Sequence, residues 1–166
     1  VVLACGRLGS AAETPHPGVL LRLGLGALSL TVMLGAWIGA SYAALACTSI
    51  PDCDGVWWPA AAGLSALNPF LRQVAVPLSG DAGGVMLHLL HRYFALVTFF
   101  LLGAAVLQML RMGVRRKAAG AILALLVVEL VVGGLTVLTG LNLWLVLAHG
   151  LCAAALLASV ATLLRR

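Results

Sequence analysis

The sequence predicts an all-α integral membrane protein: a four-transmembrane-helix up-down bundle with a long extracytoplasmic loop between helices 1 and 2. Three observations predict it. Of the 166 residues, 63% are hydrophobic and only 9% are charged, and the mean hydropathy is +1.12; in an ordinary soluble domain about a quarter of the residues are charged. Four runs, at about residues 23–46, 85–110, 118–138 and 141–164, reach the length needed to cross a hydrocarbon core, which is about 20 apolar residues. The basic residues then fall on one side: Arg7 and Arg22 before the first run, Arg111, Arg115, Arg116 and Lys117 between the second and third, Arg165 and Arg166 after the fourth. Loops rich in Lys and Arg stay in the cytoplasm, so both termini are expected there, with the chain in the cell inner (plasma) membrane. The net charge of +5 is thereby mostly topogenic, and no separate basic domain points to nucleic acid.

The elements follow in order. Residues 1–4 are apolar and precede a polar stretch containing Pro15 and Pro17. With no positive segment ahead of them they do not resemble a signal peptide. Residues 1–22 are assigned to a cytoplasmic linker from a preceding helix, in what is expected to be part of a longer protein, and residues 23–166 to the four-helix domain. The first span ends in LGAWIGASYAALAC, whose small residues permit close helix approach. Trp57, Trp58 and Pro59 suit the outer aromatic belt. The rest of the outer loop is long and partly apolar (Leu64, Leu67, Phe70, Leu71, Val74), consistent with a short interfacial helix. Residues 139–142 form a tight outer turn and the basic stretch around Gly113 an inner one, which favours antiparallel neighbours. A weak internal repeat is visible. Each helix pair opens with a small-residue helix, LGAWIGA or VGGLTVLTG, and continues with a helix bearing a histidine near its outer end. That pattern predicts a pseudo-two-fold axis along the membrane normal.

His91 and His149 lie a few residues into the second and fourth runs. Ionisable residues inside a membrane helix are costly and usually line a functional interior. Two imidazoles at one level of a bundle form the ligand set of a bis-histidine haem; the plainer alternative is that they bond to neighbouring helices. His88 sits one turn from His91, at i and i+3. It is a candidate ligand, a partner for a haem propionate or proton, or an interfacial residue; the second is preferred. Arg92 needs an anion, such as a propionate, or a route to the interface. Glu129 interrupts the third run, as a proton-transfer or cofactor-tuning group or as a protonated acid bonding between helices. His16 reads as a solvated linker residue and Cys152 as a packing residue. Cys47 and Cys53 bound a short loop on the oxidising side, where a disulfide can persist. The alternatives are a redox-active pair or two free thiols.

At these residues the chain resembles the haem A synthase family of cytochrome oxidase assembly proteins. The matching pieces are AWIGASYAALACTSIPDCDGVWWP, HLLHRYFAL and VVGGLTVLTGLNLWLVLAHG. The resemblance implies an eight-helix enzyme of two similar halves, of which this chain looks like the C-terminal one. It implies oxidation of a haem O methyl group to the formyl group of haem A, with the N-terminal half holding the substrate and the C-terminal half a haem b that relays electrons. The family's His-Arg motif falls on His91 and Arg92, its fourth-helix histidine on His149, and its paired loop cysteines on Cys47 and Cys53. His88 stands where the other half's motif has a glutamate, and Thr31 and Glu129 stand where a Gln is expected. The partners implied are haem O in a companion half or second subunit, membrane lipid, and a haem O synthase. The competing functions are a stand-alone bis-histidine cytochrome b and a non-catalytic membrane assembly protein.

Overall fold

The computed structural model describes residues 17–68, 70 and 80–165. Among them it contains four long helices: α1 (Pro17–Ala40), α2 (Ala82–Met112), α3 (Arg116–Leu138) and α4 (Leu143–Arg165). All four are long and apolar enough to cross a membrane. In the outer loop lie two short 3-10 helices, Ala43–Ala46 and Ala61–Leu67. The positions of Cys5, Arg7, His16, Leu71, Arg72, Val74 and Arg166 lie outside the described residues.

The boundaries differ from expectation at one end of the bundle. α1 begins at Pro17, where a proline costs nothing because the first helical N–H has no partner. Residues 17–22 are therefore helical rather than linker. α1 also stops at Ala40, six residues before the expected 46, because Tyr42 turns left-handed (φ 54°) and the chain continues as a 3-10 helix. Hydropathy does not register this break, since the apolar composition runs through it.

The other termini are set by local chemistry. The Asp81 carboxylate accepts from the Gly84 N–H at 2.9 Å and starts α2, a cap that satisfies one of the orphan N–H groups of the first turn. Gly113, at φ 74°, closes α2, and its N–H donates to the Leu110 carbonyl. At 31 residues, α2 is about 46 Å long, longer than the hydrocarbon core, so its ends stand in the interfaces. Asn142 accepts the Trp144 N–H at 3.0 Å and starts α4 after the tight turn.

The helices pack in a square, each against its two neighbours; α1 and α3, and α2 and α4, lie across the diagonals and their backbones do not approach. The inner half holds a shared core to which all four contribute, including Leu28, Leu102, Val106, Ile122, Leu156 and Val160. The outer half is different. There Leu34, Ile38, Ala43, Ala66 and Leu87 form a cluster of α1, α2 and the two 3-10 helices alone. Cys47, Cys53, Val85 and Leu89 form another. Among the described residues no buried cluster joins the two helix pairs at this level. Among the described residues the pairs thus share a buried core at the end nearer the termini and none at the other.

Small residues make the loop-to-helix contact possible. A Cβ on Gly84 would lie 2.3 Å from the Ala46 Cβ, whereas a Cβ on Gly26 meets nothing within 4 Å. Alanine has no rotamer with which to yield, so Gly84→Ala must displace backbone. It is expected to cost about 1–3 kcal/mol and to lower the thermal unfolding midpoint in detergent. Gly26→Ala should leave the midpoint unchanged or raise it, because alanine favours the helix.

Candidate functional site

The site consists of two half-sites of one design. On the first, α2 presents His91 to α1, and its Nδ1 lies 2.9 Å from the Thr31 carbonyl oxygen. One turn along α1, Gly35 faces the ring: an added Cβ would stand 3.1 Å from His91 Cε1. On the second, α4 presents His149 to α3, and its Nδ1 lies 3.1 Å from Glu129 Oε1. One turn along α3, Gly133 faces that ring, and an added Cβ would stand 2.8 Å from His149 Cε1. Thr31 precedes Gly35 by the same four residues that separate Glu129 from Gly133. The faint sequence repeat therefore has a physical content: an acceptor, then a glycine one turn on, against which the next helix lays an imidazole.

The two rings meet across a diagonal of the bundle. Their centroids are 6.3 Å apart and their planes stand at 81°. His91 lies nine residues from the start of α2 and His149 six from the start of α4, so the rings approach although the helix starts are not matched. Each Nδ1 faces back toward the helix behind it, and neither Nε2 forms a hydrogen bond among the described residues.

These residues suit a haem iron. A metal-bound histidine typically has its other nitrogen fixed by a carbonyl or carboxylate; His91 has such a bond to the Thr31 carbonyl, and His149 has the Glu129 carboxylate 3.1 Å from its Nδ1. Two imidazoles bound at about 2 Å on opposite sides of one iron place their centroids about 6.3 Å apart, which is the separation found. Two nitrogens are too few for a bare zinc-type ion, which takes three or four protein ligands; a porphyrin supplies the remainder.

The other candidates are arranged above this pair. His88 is buried, and its Nε2 is 3.2 Å from the Ala44 carbonyl oxygen, so it packs against the first 3-10 helix. Arg92 extends into the outer loop. Its Nη1 donates to the Pro51 carbonyl at 3.2 Å and to the Asp52 carbonyl, while Nη2 is buried without a partner. The Tyr93 hydroxyl donates to the Trp57 carbonyl, and the Tyr93 ring lies 5.7 Å from that of Trp58. Successive residues of α2 thus bind the site helix (His91) and grip the loop (Arg92, Tyr93). Cys47 and Cys53 are joined as a disulfide, with Cα atoms 4.9 Å apart and both residues buried. Asp54 accepts from the Thr48 hydroxyl at 2.6 Å and from its N–H at 3.2 Å. These bonds hold the exposed Asp54 carboxyl below its ordinary pKa and brace the same small loop.

Three contributors escape a reading of sequence alone: the Thr31 carbonyl, Gly35 and Gly133. A main-chain acceptor has no side-chain signature. The shared four-residue offset to a glycine was the available signal, and it is short enough to be lost among other glycines. Cys152, half-buried in α4, is a free thiol.

The disulfide gives a direct check. Without prior reduction, a thiol reagent should label Cys152 in unfolded protein and leave Cys47 and Cys53 unlabelled; after reduction the loop pair should react as well. Labelling of the loop pair before reduction would remove the disulfide from this account.

Comparison with known proteins identifies a family. The model of the COX15-CtaA family, described as cytochrome oxidase assembly protein, matches residues 4–161. A heme A synthase of Shewanella oneidensis is 32% identical over 136 residues, covering 80% of this chain and 41% of that protein. A heme A synthase of Methylobacterium nodulans is 34% identical over 183 aligned positions, covering 99% of this chain and 47% of that protein. The chain thus spans less than half the length of these curated relatives. No solved structure matches it. Since the family match runs through nearly all of the sequence, the chain belongs to the COX15-CtaA family of cytochrome oxidase assembly proteins.

Proposed function

We propose that this chain is the haem b-binding half of a heme A synthase and relays electrons for the oxidation of haem O. The observation that carries the proposal is the His91–His149 pair, with both Nδ1 atoms turned outward and the centroids 6.3 Å apart. Bound there, a haem supplies reversible one-electron transfer. The protein's own part is positional. Thr31 and Glu129 orient the imidazoles, Gly35 and Gly133 let them lie close to the helices behind, and the shared inner core holds the two pairs in register. A haem held by His91 and His149 would supply electron transfer rather than binding of a small substrate at the metal.

The division of labour follows from His88. In this half it is buried against the Ala44 carbonyl, at the position where the motif of the companion half has a glutamate. Methyl oxidation develops positive charge on carbon, and a carboxylate stabilises that charge better than an imidazole. Haem O therefore belongs to a companion half or second subunit, with a haem O synthase as its source. The basic turn, Arg111 to Lys117, and Arg165 support a topology with both termini on the cytoplasmic side of the inner (plasma) membrane. The free Nη2 of Arg92 is the donor available to a propionate.

Two measurements test this. The protein purified from membranes should show a low-spin haem b absorption spectrum, which His91→Ala or His149→Ala should abolish and Ser29→Ala should preserve. Haems extracted from cells expressing the chain alone with haem O should contain no haem A; co-expression with an N-terminal half should restore it. Haem A made by this chain alone would replace the relay reading with that of a half-size synthase.

A further inference from the structure

The two half-sites share a design but differ in one atom type. His91 faces a neutral main-chain carbonyl at 2.9 Å; His149 faces a carboxylate at 3.1 Å. Thr31 also has a hydroxyl, but it is committed elsewhere, to the Ala27 carbonyl at 2.8 Å and the Thr98 hydroxyl at 3.2 Å. On the other side, Glu129 Oε2 is buried and has no hydrogen-bond partner. The carboxylate is thus aimed at the imidazole rather than satisfied by the helices around it. Gly133 leaves the ring room to lie against α3 beneath it, since any side chain there would meet the ring. The Nδ1–Oε1 approach is close but off the hydrogen-bond direction, so Nδ1 also counts as unpartnered.

From this we infer that Glu129 is a positioning residue for His149, and that it makes the two axial ligands electronically unequal. The inference rests on His91 and His149 being the ligands. A carboxylate on the outer nitrogen fixes the tautomer that leaves Nε2 free, and raises the basicity of the ligand. A carbonyl does the first of these and less of the second. A more basic ligand, backed by a negative group, favours the ferric state over the ferrous one. Glu129 thereby holds the midpoint potential of the haem below the value that two carbonyl-backed histidines give. In a chain proposed to relay electrons, that lowers the energy of the oxidised relay and sets the direction in which an electron leaves it. The cost of a carboxylate at this depth has a use on this account.

The test is a potentiometric titration of the full chain purified from membranes, wild type against Glu129→Gln and Glu129→Leu. Glutamine keeps an acceptor near Nδ1 and loses the charge; leucine loses both. The expected result is an upward shift of the midpoint potential in Glu129→Gln, with the low-spin spectrum and haem content retained. Glu129→Leu should shift it further and broaden the low-spin electron paramagnetic resonance signal, because the ring loses its orientation. A potential unchanged in both variants, with wild-type spectra, overturns the role of Glu129 while leaving the ligand pair intact. Should Glu129→Leu fail to accumulate, Glu129→Gln decides alone. If the wild-type protein lacks a low-spin haem, the ligand assignment fails and this inference fails with it.

Discussion

His91 reaches back 2.9 Å to a main-chain oxygen of α1, and His149 reaches back to Glu129 of α3. In lipid there is no water to satisfy either ring, so each imidazole must be paired from behind or be bound in front. These two backward contacts fix much else. They require a glycine one turn along the supporting helix, because the ring lies where a side chain would be. They place each histidine with the partner of its own helix pair, so α1 packs mainly on α2 and α3 on α4. They leave the two Nε2 atoms without a hydrogen bond among the described residues.

The core is arranged around the same constraint. Among the described residues the buried cluster that all four helices share lies in the inner half. In the outer half the first pair is packed by its own loop, which crosses back over α2 and is pinned by Arg92, Tyr93 and the disulfide. In the second pair Leu143, Trp144, Leu147 and Leu151 of α4 are exposed.

The existence, order and approximate ends of four membrane helices were legible from hydropathy, because composition is what the bilayer selects. The break after Ala40 was not, since it depends on the left-handed backbone of Tyr42 within an unbroken apolar run. The histidine pair was legible because an imidazole in a membrane helix is expensive. Its agreement in depth came from spatial packing: the residue counts from the helix starts differ, yet the rings meet. Glu129 stood out as a costly residue, but its partner could be found only once the four-residue offset to Gly133 was seen beside that of Thr31 and Gly35. Arg92 had two readings from sequence, and its grip on the loop carbonyls came from a backbone path that no pattern encodes.

The central claim is that one iron is held between His91 and His149. Its most direct test is the low-temperature electron paramagnetic resonance spectrum of the oxidised protein. Imidazole planes at 81° interact with different iron d orbitals and leave them nearly equal in energy. The account predicts a single low-spin haem with a strongly anisotropic signal, lost when either histidine is replaced. A high-spin signal in the wild-type protein, or a low-spin signal that survives both His91→Ala and His149→Ala, would contradict it.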